Sequence, residues 1–201
     1  MIRGYYFITD SRLTKRDILS DVKSALEAKV EVIQYRNKNA NTKSLYEEAS
    51  LLRKVCKDVC FIVNDRIDVA LAVGACGVHL GVSDMSYEAA RDIMGKGKII
   101  GVTVRTKKEA VILSGKGADY LSLGPIFETT TKKDLPRPRG AALISEIRKE
   151  CKTPLVAIGG ITLSNAKEII EAGADAICAI SAVVTKDNVK EEIVKFQSLF
   201  I

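Results

Sequence analysis

Short apolar runs rich in β-branched residues recur along the chain at 5–8, 30–34, 60–63, 77–80, 98–102, 120–123, 154–158 and 176–180, and each reads as a buried strand. Between them lie stretches at 18–28, 42–57, 67–73, 87–94, 107–115, 141–151, 165–172 and 189–200 whose apolar positions recur at helical spacing. Strand then helix, about eight times over, predicts an α/β fold: a single (β/α)8 TIM barrel with parallel strands, one domain spanning residues 1–201. An internal repeat agrees, because Gly74-Ala75, Gly117-Ala118 and Gly173-Ala174 each separate a helix from the strand after it. Glycine at such a place closes the helix. The one long irregular segment, 124–140, is stiffened by Pro136 and Pro138, and loops of that length in a compact domain usually carry function.

In barrels of this kind the residues just after each strand line the active site, so the polar clusters there matter most. Gln34, Arg36 and Lys38 alternate with Tyr35 and Asn37, a period that turns the first three toward the barrel mouth. Asn64 and Asp65 follow the third strand, and Asp84 lies beyond the fourth. Two carboxylates from adjacent strand ends suit Mg²⁺, although each aspartate is also placed to cap a helix. His79, the only histidine, lies on a buried strand and reads as a satisfied core or supporting group. The spacing of Cys56 and Cys60 is wrong for a zinc site with it. Thr103 ends the fifth strand, and Thr106 with Glu109 forms a capping box. After the sixth strand come Thr129, Thr130, Thr131 and Lys132, hydroxyls and a cation suited to phosphate. Gly159 and Gly160 follow the seventh strand and Ser181 the eighth, where backbone N–H groups can approach an oxyanion. The chain thus offers a cationic anion site with carboxylates (Arg36, Lys38, Asp65, Asp84, Lys132) and a neutral backbone site (Gly159, Gly160, Ser181). No nucleophile with a paired base is evident, which favours chemistry driven by stabilising a leaving group.

Composition narrows the partners. With 47% hydrophobic and 28% charged residues the chain is ordinary globular protein. No apolar run nears the roughly 20 residues that span a bilayer, and polar Thr9-Asp10 arrives too early for a signal core, so a cytoplasmic location is expected. Five cysteines without a C-x-x-C pair point to reduced thiols, with Cys76 and Cys178 read as core. A net charge of +6 could serve nucleic acid, a membrane surface or small anions. Aromatics are 5%, tryptophan is absent, and the lysines are spread over helices, so the expected partners are small phosphorylated molecules, with no nucleic acid and no membrane. The composition is compatible with a homo-oligomer.

The motifs Tyr6 to Asp10, Gln34 to Lys38, Val63-Asn64-Asp65, Gly77 to Gly81 with Asp84, Gly124 to Phe127 with Thr129 to Lys132, and Ala157 to Ile161 resemble, in this order, the thiamine-phosphate synthase family. The resemblance covers nearly the whole chain. It implies a cytoplasmic barrel transferase of thiamine biosynthesis that joins hydroxymethylpyrimidine diphosphate to thiazole phosphate and releases diphosphate. It further implies that Gln34, Arg36, Lys38, Asn64, Thr103 and Lys132 contact the pyrimidine diphosphate, with Arg36, Lys38, Thr103 and Lys132 catalytic. Asp65 and Asp84 would hold Mg²⁺, and Thr129, Thr130, Thr131, Gly160, Ile180 and Ser181 would hold the thiazole phosphate. The implied mechanism is dissociative, through a pyrimidine methyl cation that the thiazole nitrogen captures. Two departures stand out: Val82 replaces a usual glutamine, and Thr103-Val104-Arg105-Thr106 replaces the usual Ser-x-His-Thr. Thiazole tautomerases, a related branch, use histidine where Arg105 stands and often lack the aspartates. That activity, and a non-catalytic binder of thiamine precursors, are the alternatives.

Overall fold

The computed structural model describes residues 2–129 and 137–200. Eight strands, β1 (Gly4–Ile8), β2 (Val32–Tyr35), β3 (Cys60–Asn64), β4 (Gly77–Leu80), β5 (Ile99–Val104), β6 (Tyr120–Leu123), β7 (Leu155–Ile158) and β8 (Ala176–Cys178), pair in parallel in chain order, and β8 closes on β1. Each strand is followed by a helix: α1 (Ile18–Glu27), α2 (Thr42–Val55), α3 (Ile67–Ala72), α4 (Tyr87–Met94), α5 (Lys107–Gly115), α6 (Gly140–Arg148), α7 (Ala166–Glu171) and the short α8 (Ile180–Val184). A further helix, α9 (Val189–Gln197), packs on α1 and β1. The closed barrel is the fold that the alternation predicts. No described helix is long and apolar enough to cross a membrane.

The strands are apolar on both faces because both are covered, as an all-parallel sheet requires. Outward side chains such as Phe7, Ile33, Phe61, Val78, Ile100 and Leu121 pack under the helices. Inward ones, including Tyr6, Ile8, Val32, Ile62, Tyr120 and Val156, form a separate interior cluster. There the large Tyr120 ring occupies the space that Gly101 leaves on the neighbouring strand. A Cβ at Gly101 would lie 1.9 Å from that ring.

Helix ends follow their caps. Asp17, Asn41, Ser86 and Asn188 each accept a hydrogen bond from the first turn of the helix that they precede. Thr106 and Glu109 form the expected reciprocal box at α5. The structure departs from the sequence pattern at β8, which ends at Cys178 instead of running to residue 180. The chain turns at Ala179, whose carbonyl oxygen accepts from the Tyr5 hydroxyl at 3.1 Å, and Ile180 starts α8. The apolar run Ala176 to Ile180 spans a strand and a helix start, which periodicity alone does not separate.

Candidate active site

The strand C-termini open into a cavity of about 360 Å³. Its base is apolar, formed by Ile8, Val156, Ile158 and Cys178, and its rim is polar. Gln34, Arg36, Lys38, Asn64, Asp65, Asp84, Thr103, Thr129, Gly159, Gly160, Ile180 and Ser181 all line it. Thr130, Thr131 and Lys132 lie outside the described residues.

At one side the end of β2 supplies the cations. The pleat turns Gln34 and Arg36 inward, while Tyr35 and Asn37 reach out to the Glu48 carboxylate on α2. The Arg36 guanidinium donates to Asp10 at 2.9 Å, and that carboxylate is almost wholly buried. Thr9 joins the two strand ends, accepting from the Arg36 N–H at 2.8 Å and donating to the Arg36 carbonyl oxygen at 3.1 Å. Lys38 bonds Asp65. Neither aspartate caps a helix: α3 begins behind Arg66 without a side-chain cap, and Ser86 caps α4. Asp65 instead takes a left-handed φ of 62° directly after β3, its N–H bonded to the His79 carbonyl oxygen at 2.8 Å. Non-glycine residues are uncommon there, and such strain concentrates at functional sites. Asp84 accepts from the Gly81 N–H at 2.6 Å. Burial pushes its carboxyl above the ordinary range, and the facing Asp65 adds to the rise, against the Gly81 N–H and Lys38.

Among the described residues no third His, Cys, Asp or Glu joins these two carboxylates. Two hard oxygen donors beside a cationic rim fit Mg²⁺, which commonly completes its octahedron with water and phosphate oxygens, and do not fit a structural zinc site. The rise at Asp84, driven by burial and by the facing Asp65, is one that a bound cation would relieve.

At the other side the loops after β6 and β7 lie against each other. Ile126 and Phe127 donate their N–H groups to the carbonyl oxygens of Ile158 and Gly159 at 3.1 and 3.0 Å. Gly160 makes this possible: its φ is 68°, and a Cβ there would lie 2.4 Å from the Glu128 carbonyl oxygen. Ile180 and Ser181 fall in the first turn of α8, where N–H groups lack helical partners.

A chain of polar groups crosses the barrel interior beneath the mouth. The Gln34 amide donates to the Tyr6 hydroxyl at 3.0 Å, Tyr6 bonds Tyr120 at 2.7 Å, and Tyr120 meets His79 Nδ1 at 3.0 Å. His79 Nε2 meets the Thr103 hydroxyl at 3.0 Å. Burial lowers the His79 pKa to about 4, Asp84 pulling it up and Lys38 pushing it further down, so the ring is neutral. It is the satisfied buried group expected from its place on a strand. The sequence reading gives no site role to Asp10, Tyr6 or Tyr120. Asp10 follows β1 as Arg36 follows β2, so the strand-end rule reaches it, and Tyr6 shares the parity of inward-facing Ile8.

The family model described as thiamine monophosphate synthase matches residues 5–183. A thiamine-phosphate synthase of Methanosarcina barkeri is 49% identical over 189 residues, covering 94% of this chain and 86% of that protein. One of Clostridium novyi is 43% identical, covering 92% of each. A thiamine phosphate pyrophosphorylase structure from Pyrococcus furiosus superposes with a TM-score of 0.89 at 39% identity, covering 98% of this chain and 95% of the other.

Proposed function

The chain belongs to the thiamine monophosphate synthase family, and on that footing we propose that it forms thiamine phosphate by joining hydroxymethylpyrimidine diphosphate to thiazole phosphate. The observation that carries this reading is the pairing of Asp65 with Asp84 beside Lys38 and Arg36, at the side of the cavity opposite the glycine-lined loops. The described relatives are transferases of this kind, so the tautomerase alternative has no support of its own.

In the proposed arrangement Arg36 and Lys38 donate to the diphosphate, and Asp10 fixes the direction of the Arg36 fork. Mg²⁺ held by Asp65 and Asp84 would offset charge on the departing diphosphate. Gln34, Asn64 and Thr103 contact the pyrimidine. Thr129, the N–H groups after β7 and the first turn of α8 hold the thiazole phosphate, with Thr130 and Thr131 as further proposed contacts to it and Lys132 as a further proposed contact to the diphosphate. The residues at the reaction centre stabilise charge and exclude water; none needs to act as nucleophile or base. That suits a dissociative substitution, in which diphosphate departs before the thiazole nitrogen attacks. The five free cysteines suit a cytoplasmic enzyme.

The test supplies purified protein with both precursors, with Mg²⁺ or with a chelator. Diphosphate release that requires both precursors and the metal is expected. Isomerisation of a thiazole carboxylate phosphate without coupled product would overturn the assignment.

A further inference from the structure

At the N-terminal end of the barrel, opposite the cavity, the repeated units reuse one arrangement with one exception. Asp175, after Gly173-Ala174, accepts from the Leu155 N–H at 2.8 Å and from Arg148. Arg148 also donates through Nε to the Gly173 carbonyl oxygen at 3.0 Å and through an amino nitrogen to that of Cys151 at 3.1 Å. Asp119, after Gly117-Ala118, likewise accepts from the Ile100 N–H at 2.7 Å and from Arg91 at 2.6 Å. In the unit that leads into β4 the arginine is present again. Arg53 donates through Nε to the Gly74 carbonyl oxygen at 3.1 Å and through an amino nitrogen to that of Cys56 at 2.7 Å. The residue in the aspartate position is Cys76.

Cys60 lies beside it. Ile62 pairs with Gly77 across β3 and β4, and the Cys76 N–H donates to the Phe61 carbonyl oxygen at 2.8 Å. Cys60 is therefore one residue along the adjacent strand. Ordinary strand spacings put the two Cα atoms about 6 Å apart, within the span of a disulfide. Both side chains pack on the interior cluster and both are partly exposed, in contrast to buried Cys56, Cys151 and Cys178. Lys98, whose amine donates to the Ala75 carbonyl oxygen at 2.6 Å, brings a second cation to the same corner.

The geometry points to Cys76 and Cys60 as a reactive dithiol, with Cys76 as attacking sulfur and Cys60 as resolving sulfur, whose class of reactant is a low-molecular-weight disulfide. The Cys76 thiolate attacks one sulfur of that disulfide, whose S–S bond breaks, and the first small thiol leaves with the proton given up by Cys76. Cys60 then loses its proton, attacks Cys76 Sγ and expels the second small thiol. The pair is oxidised to a disulfide while the small disulfide is reduced to two thiols. Charge favours this order, because contact with Cys60 together with Arg53 and Lys98 holds the Cys76 thiol low, and contact with Cys76 together with burial pushes Cys60 up.

Reduced full-length protein is exposed to glutathione disulfide under native conditions and followed by intact mass and peptide mapping. The parent is expected to lose two hydrogens through a Cys60–Cys76 bond. Cys60→Ser should stop at a stable mixed disulfide on Cys76, and Cys76→Ser should react at least about 10-fold more slowly. Arg53→Gln should slow the first step several-fold while circular dichroism shows the fold retained. A parent that halts at a mixed disulfide, a first adduct on Cys60, or thiols that react only after unfolding would each overturn the proposal.

Discussion

Asp65 combines a strained backbone with a charge, and the two can be separated. Asparagine also tolerates left-handed φ, so Asp65→Asn keeps the turn and removes only the anion. Turnover is expected to fall about 10²-fold with a melting temperature close to the parent's, the loss typical of one preorganised electrostatic group. Turnover within a few-fold of the parent would reduce Asp65 to a turn residue. Arg36 is a poorer probe, because its removal also takes the 2.9 Å partner from the buried Asp10 carboxylate and leaves it to the Arg12 N–H at 3.0 Å and the Arg12 guanidinium at 3.7 Å, so stability and activity would change together. Half-exposed Lys38 is the cleaner target on that side. The interior polar chain makes a second prediction. Gln34 Nε2 donates to Tyr6, and a continuous run in which Tyr6 donates to Tyr120 and Tyr120 to His79 Nδ1 leaves Nε2–H to donate to Thr103. The Thr103 proton is then turned toward the cavity. With a single histidine in the chain, ¹⁵N NMR should report the Nε2–H tautomer in the parent and a tautomer mixture in Tyr120→Phe. An Nδ1–H ring in the parent would mean that the chain of donors runs the other way.

At the scale of elements, the Gly-Ala repeat has a fourth member that the sequence conceals. After α3, α5 and α7 the glycine N–H bonds the carbonyl oxygen three residues back, and the alanine N–H reaches five back, as in Ala75 to Ala70 at 2.9 Å. After α1 the same two bonds are made by Lys29 to Leu26 at 2.9 Å and Val30 to Ala25 at 3.3 Å, with Lys29 at φ 58°. The geometry is shared and the glycine is not, which is why pattern alone missed it. Lys29→Gly should relieve on the order of 0.5–1 kcal/mol and raise the melting temperature by roughly 1–4 °C. Gly74→Ala is the converse control, since its φ is 64° and a Cβ there meets nothing within 4 Å, so any loss reports backbone strain alone. A lowered melting temperature for Lys29→Gly would mean that the lysine side chain, not its backbone, matters at this turn. The same limit of pattern explains β8 and α8, where five apolar residues fit either element and the turn at Ala179 depends on Tyr5, distant in sequence.

For the whole molecule, strand order and the gathering of Gln34, Arg36, Lys38, Asn64, Thr103 and both aspartates at one mouth were legible, because a closed parallel barrel sends every strand end to the same rim. Pairings across that rim were not, since Asp10 with Arg36 and Tyr6 with Tyr120 join residues 26 and 114 positions apart and nothing local announces them. The rim also couples the site to global stability. Anything that binds the folded barrel and not the unfolded chain stabilises it, by about 2.7 kcal/mol at a hundred times its dissociation constant. For a chain of this size that corresponds to a rise in melting temperature of roughly 5–10 °C. Mg²⁺ with diphosphate should produce such a rise, and diphosphate with a chelator a much smaller one, because Asp65 and Asp84 then face the anion without a metal to offset their charge. Asp84→Asn should remove most of the metal-dependent part, since it deletes one of the two carboxylates whose repulsion the cation relieves. A full shift in Asp84→Asn, or an equal shift without metal, would place the anion on the cations alone and leave the carboxylate pair without a ligand.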